Sequence, residues 1–148
     1  MQSPMRREIL SSLLIASLVV FGLAAAVGVI FYAFPPPSYE EIGTRSDYPP
    51  SPEPYLVAGK ISFYLVSTKD EMIALSSRSP RKAGCWIDWS RDDKIFIEPC
   101  FGTKFRLDGS YKSGPPMNMD RYPLRLDGEK LLVETGRVVR IPYDDSQR

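Results

Sequence analysis

An all-β domain, built as a small antiparallel sandwich or barrel and preceded by one N-terminal transmembrane helix, is the fold class this sequence predicts. Three observations carry it. A long uncharged apolar stretch stands near the N-terminus, short apolar runs separated by turn residues follow it, and no later stretch keeps a helical period long enough to compete.

Residues 9–34 carry no charge, and Ser11, Ser12 and Ser17 are their only polar side chains apart from one tyrosine near the end. At about 1.5 Å of rise per residue, such a helix exceeds the ~30 Å of hydrocarbon in a bilayer. A cleaved signal peptide is the alternative, but its apolar core runs to only about 7–15 residues and ends at a small-residue site. Here the run ends in Phe31-Tyr32-Ala33-Phe34, an aromatic cluster suited to the far interface. Arg6 and Arg7 precede the helix, and Glu40 and Glu41 are the first charges after it. The positive-inside rule therefore predicts residues 1–8 in the cytoplasm and the rest on the outer, extracytoplasmic or lumenal face. Arg6-Arg7 before an apolar segment also resembles a twin-arginine export signal, which leaves the export route open.

Residues 35–54 contain seven of the chain's 14 prolines and almost no aliphatic side chains. This composition predicts a semi-rigid, polyproline-like linker of ~3.1 Å per residue. The β domain is expected over 55–140, followed by a polar tail at 141–148. Ile61 to Val66 and Met72 to Leu75 form a first predicted hairpin around Lys69-Asp70-Glu71. Trp86-Ile87-Asp88-Trp89 and Lys94-Ile95-Phe96-Ile97 flank a turn at Ser90-Arg91-Asp92-Asp93. Lys104 to Leu107 meets Ser110-Tyr111-Lys112 across Asp108-Gly109, and Tyr122 to Leu126 meets Lys130 to Glu134 across Asp127-Gly128.

Composition restricts the chemistry. A formal net charge of +1 does not suggest a nucleic-acid surface. The absence of histidine removes the usual general base and the commonest metal ligand. Ser79 and Lys82 form the only nucleophile and base pair worth weighing, and nothing in the sequence orients them, so neither catalysis nor a small-molecule substrate is expected. The two cysteines, Cys85 and Cys100, lie at opposite ends of the central hairpin. An antiparallel hairpin brings its strand ends together, and an exported domain oxidises such pairs, which predicts a disulfide. Two free buried thiols are the alternative reading. A zinc or iron site would have only half a tetrahedral shell, with Asp88 or Glu98 as poor partners for thiolate-type metals.

Further motifs follow one another in a recognisable order. They are Ile73-Ala74-Leu75-Ser76, Gly84-Cys85, then Pro99-Cys100-Phe101-Gly102-Thr103-Lys104-Phe105-Arg106-Leu107-Asp108-Gly109, then Gly114-Pro115-Pro116 and Tyr122-Pro123-Leu124. Together, from about Tyr55 to Val139, they resemble Rieske iron-sulfur proteins, most of all the membrane-anchored Rieske subunit of the cytochrome bc and b6f quinol oxidoreductases. That family has one box reading Cys-x-His-x-x-Cys and another reading Cys-x-Cys-His. The outer Cys and the His of each box hold a [2Fe–2S] cluster, and the remaining pair of cysteines forms a disulfide.

The resemblance places Cys85 and Cys100 at the disulfide positions and Gly114-Pro115-Pro116 at the proline loop that covers the cluster. The ligand positions hold Pro80, Lys82, Glu98 and Phe101. Shifting the first box by one residue substitutes Ser79 and Arg81, which are no better as iron ligands. The expectation is therefore a Rieske-like β domain without a 2Fe-2S cofactor. It would act as a structural or accessory subunit of a membrane electron-transport complex, through packing against other subunits rather than redox chemistry. Arg78, Arg81, Lys82, Phe101, Pro115 and Pro116 are the expected docking tip, and a free-standing, membrane-anchored binding or assembly module is the alternative.

Overall fold

The computed structural model describes residues 4–33 and 37–144, which form two compact units, a helix and a β unit. Residues 1–3 of the expected cytoplasmic segment, Phe34 of the aromatic cluster, Pro35 and Pro36 of the linker, and residues 145–148 of the tail lie outside the described residues. Helix α1 runs over Pro4–Ala33. Its segment Leu13–Ile30 has a mean hydropathy of 2.7 with no side chain buried, so it is long and apolar enough to cross a membrane.

The β unit contains strands β1 (Tyr39–Thr44), β2 (Tyr55–Ala58), β3 (Ser62–Ser67), β4 (Met72–Ser76), β5 (Asp88–Ser90) and β6 (Ile95–Glu98). It continues with β7 (Thr103–Phe105), β8 (Tyr111–Ser113), β9 (Arg121–Tyr122), β10 (Leu124–Asp127) and β11 (Lys130–Glu134). All pairings are antiparallel, in three sheets ordered β1-β11-β10, β2-β3-β4-β9 and β5-β6-β7-β8. The all-β antiparallel class is as the sequence predicts, with a third sheet where a sandwich has two.

The extra layer follows from β3 and β4. Tyr64, Val66, Ile73 and Leu75 enter one core cluster with Ile87, Phe96, Phe105, Met117 and Met119. Phe63, Leu65 and Ala74 enter a second cluster with Tyr122, Leu131 and Val133. Successive residues of a strand point to opposite faces, so an unbroken apolar run such as Phe63-Tyr64-Leu65-Val66 needs a cover on each side.

Several sequence boundaries move. The expected linker over 35–54 is corrected, because Tyr39–Thr44 is strand β1, paired with β11 from Tyr39↔Glu134 to Thr44↔Lys130. Only Ile42 of this strand packs on the core, and the pairing rests on backbone bonds plus the Lys130–Glu41 ion pair at 2.8 Å, so no apolar alternation marks it. Further on, Ser51 N–H donates to Ser67 O at 2.9 Å and Tyr55 Oη–H to Pro49 O at 2.8 Å, tying the proline-rich stretch onto the β unit.

The expected strand from Tyr122 to Leu126 is divided at Pro123, which has no N–H for a ladder, into β9 of the central sheet and β10 of its neighbour. The last hairpin turns on Gly128-Glu129 rather than Asp127-Gly128, since Asp127 pairs with Lys130. Gly128 alone takes positive φ there, at 62°, as a II′ turn requires. The turn after β5 likewise occupies residues 91–94, with Ser90 paired to Ile95 and Lys94 at φ 52°.

Gly109 is confined more tightly. Its φ is 79°, and a Cβ there would lie 2.7 Å from Leu75 Cδ2 and 3.3 Å from Met119 Cβ, inside the first cluster. Gly109→Ala should cost about 2–4 kcal/mol, combining a left-handed backbone with an overfilled core. Gly128→Ala meets nothing within 4 Å and should cost only about 1–2 kcal/mol. Denaturant titration of the full chain in detergent compares the two, and equal costs would contradict this packing.

Burial, and then the charge of Asp88, raise the Tyr64 phenol above its ordinary 10.0. The folded state therefore holds this proton to higher pH than the unfolded chain, so its contribution is complete below pH 10 and is lost as pH rises through the folded value. Tyr64→Phe should flatten the fall in unfolding midpoint above pH 10, and an unchanged alkaline slope would contradict the assignment.

Candidate functional site

Three loops converge at one end of the β5–β8 sheet. The first, residues 78–86, leaves the central sheet after β4 and is folded back by Ser79 N–H to Cys85 O at 2.9 Å and Cys85 N–H to Lys82 O at 3.2 Å. Its base is closed by Ile87 N–H to Ser77 O at 2.8 Å. The second, after β6, is a tight turn in which Gly102 N–H donates to Glu98 O at 2.9 Å. The third is the Gly114-Pro115-Pro116 segment after β8.

Each pair of loops is joined by a different interaction. Cys85 and Cys100 form a disulfide between the first and second, with Cα atoms 6.3 Å apart. The second and third touch at Gly114, where a Cβ would lie 2.8 Å from Gly102 O and 2.9 Å from Thr103 Cα. The Thr103 hydroxyl adds a longer bond to Pro115 O at 3.4 Å. Arg81 joins the first and third, its Nη2 donating to Pro116 O and its Nε to Met117 Sδ, both at 2.8 Å.

The structure brings together Pro80, Lys82, Glu98 and Phe101 only in the sense that their loops meet. Pro80 is half-buried, while Lys82 and Phe101 are exposed. Glu98 is fully buried at 0% exposure, with Oε2 accepting Phe101 N–H at 3.2 Å and Oε1 lying 3.1 Å from Cys85 Sγ. A disulfide sulfur carries no hydrogen, so the second approach is a contact rather than a hydrogen bond. Among the described residues, Cys85, Glu98 and Cys100 form a group with donor atoms within 4.8 Å of one another. The disulfide occupies both sulfurs, which leaves one carboxylate.

A Rieske-type cluster requires two thiolates and two imidazoles. This chain has no histidine, and its two cysteines are bonded to each other, so the residues present do not fit that group.

At the expected docking tip, Arg78, Arg81, Lys82, Phe101 and Pro116 are exposed and Pro115 is half-buried. Arg81 is committed to bracing the third loop, whereas Arg78 lies over the Trp86 ring at 5.3 Å. Trp86 was expected within a strand, yet β5 begins at Asp88 and Trp86 is 47% exposed, as is Phe101. Its sequence clue is position, since it alternates with the buried Ile87 and follows the buried Cys85. Ser79 and Lys82 are not assembled as a catalytic pair. The Ser79 hydroxyl is buried and accepts Arg81 N–H at 3.2 Å, and Lys82 is exposed.

No protein-family model matches the chain. A curated relative, the cytochrome b6-f complex iron-sulfur subunit of Chlorobaculum thiosulfatiphilum, is 33% identical over 51 residues. The match covers 34% of this chain and 28% of that protein, so the chain spans less than a third of that relative's length. The plasma membrane Rieske protein PetC3 from the cyanobacterium Synechocystis PCC 6803 is 21% identical with a TM-score of 0.46, covering 65% of this chain and 99% of that one. A hyperthermophilic respiratory complex III structure also gives 21% and 0.46, covering 81% of this chain and 98% of its own. The chain is thus similar to Rieske iron-sulfur proteins.

Proposed function

We propose that this chain is a cluster-free, Rieske-like accessory subunit of a membrane electron-transport complex of the quinol oxidoreductase type. It is held by helix α1 with its N-terminus in the cytoplasm and its β domain on the outer face, and it works by packing against partner subunits without catalysing a reaction itself. The observation that carries this reading is the donor set where the loops meet. The three-loop frame is present, and it encloses a disulfide and one buried carboxylate with no imidazole available.

Support for docking comes from the exposed face beside that frame. Trp86 and Phe101 each leave 47% of their surface open, and the Arg78 guanidinium lies over the Trp86 ring. Exposed aromatic and arginine side chains are the commonest anchors of protein interfaces. The proline-rich segment contributes as part of the β unit, through strand β1, rather than as a stiff spacer.

Native purification from membranes in mild detergent tests the reading. The chain should co-migrate with subunits of a quinol-oxidising complex, and the chain then separated from those subunits should contain no stoichiometric iron and show no iron-sulfur signal in electron paramagnetic resonance after reduction. A stoichiometric cluster would overturn the cofactor assignment, and migration as a lone small protein would favour the free-standing module. Replacing Cys85 or Cys100 with Ser should lower unfolding stability by about 3 kcal/mol, as expected for a cross-link between positions 15 apart. Unchanged denaturant midpoints in both variants would show that the brace is dispensable.

A further inference from the structure

The disulfide is asymmetric. Cys85 is 2% exposed, whereas Cys100, on the turn after β6, is open to solvent. A carboxylate lies against the buried sulfur, Glu98 Oε1 at 3.1 Å from Cys85 Sγ, and Glu98 is itself 0% exposed. Its other oxygen takes Phe101 N–H at 3.2 Å, and among the described residues Glu98 makes no ion pair. Removing a carboxylate from water costs several kcal/mol, and a purely structural cross-link needs no acid beside it. In the dithiol form, 3.1 Å is hydrogen-bonding reach for a Cys85 S–H donating to Oε1.

We propose that Cys85–Cys100 is an exchangeable disulfide, in which Cys100 is the sulfur open to an incoming thiolate, Cys85 is the leaving and resolving thiol, and Glu98 moves the Cys85 proton. The co-reactant is a thiol, either a small one or an exposed cysteine of another exported protein.

The incoming thiolate bonds to Cys100 Sγ, the Cys85–Cys100 bond breaks, and its electron pair leaves on Cys85, which takes up a proton. A second thiol can then release Cys100 as a free thiol, so two thiols are oxidised to one disulfide while the chain gains two electrons and two protons. In the opposite direction, Cys85 S–H gives its proton to the Glu98 carboxylate, and the resulting thiolate attacks Cys100 Sγ in the mixed disulfide. The original thiolate is then expelled, and the Glu98 proton passes to water. Attack must come in line with the breaking bond and is decided by which sulfur is accessible. Here that sulfur is Cys100. The chemistry does not depend on the partner subunits or on a cluster, so it can fail or hold independently of the function proposed above.

The test uses the full chain in detergent with reduced and oxidised glutathione as the probe, followed by intact-mass analysis after acid quenching. Glutathione should reduce and reoxidise the folded wild type, Cys85→Ser should trap one glutathione on Cys100, and Cys100→Ser should trap it at least tenfold more slowly. Glu98→Gln should let the wild-type-like mixed disulfide accumulate, with resolution roughly a hundredfold slower. Equal trapping by the two serine variants would overturn the assignment of the attacked sulfur. A folded wild type that stays oxidised where the urea-unfolded chain is reduced would overturn the exchange itself. If Glu98→Gln fails to fold, wild-type resolution in H2O and D2O supplies the second measurement, and equal rates would remove the proton transfer.

Discussion

Burial of the β3–β4 hairpin on both of its faces is the constraint from which the rest of the β unit follows. Phe63 and Leu65 fill one core and Tyr64 and Val66 the other, all within 8% exposure, so neither face of the central sheet can be left to water. The β5–β8 sheet covers one face, and the β1-β11-β10 sheet covers the other. Burial also requires every ladder group to find a partner, which β2 and β9 supply at the two edges of the hairpin. The site is a by-product of this layering, because its first loop leaves the central sheet and the other two leave the outer one.

Within the site, geometry and donor chemistry are separable. The loops are held by a disulfide, by backbone approach at Gly114 and by the guanidinium of Arg81, none of which needs an ion. A frame of this kind can therefore exist whether or not its enclosed side chains can bind iron. The donors are decided locally, by single residues at loop tips where packing constrains backbone path more than side-chain identity. Glu98 is the exception, since its burial against the disulfide couples it to the frame.

Much of the fold was legible in the residues. Apolar runs bounded by turn residues located β3, β4, β6 and β11, and the glycine of each Asp-Gly pair marked a real turn, because a residue without Cβ takes φ of 79° at Gly109 or 62° at Gly128 without steric cost. Strand β1 was not legible. Its partner lies 89 residues away across the Glu41–Lys130 pair, and backbone hydrogen bonds to a distant strand leave no apolar pattern in a strand of which only Ile42 packs on the core. Pro123 is a visible signal in the sequence, since a proline within an apparent strand here marks the point where the chain leaves one sheet for another.

The sequence by itself determined the helix at the N-terminus, the all-β class, the two sulfurs near one hairpin and the lack of imidazole, because each depends on local composition, periodicity or a count. Only the tertiary structure decided that a proline-rich segment carries a strand, that Trp86 is exposed, and that one sulfur faces solvent while the other meets a buried carboxylate. Those are relations between residues from separate loops or strands. Burial and contact of that kind are set by how sheets stack, and no window along the chain contains both partners.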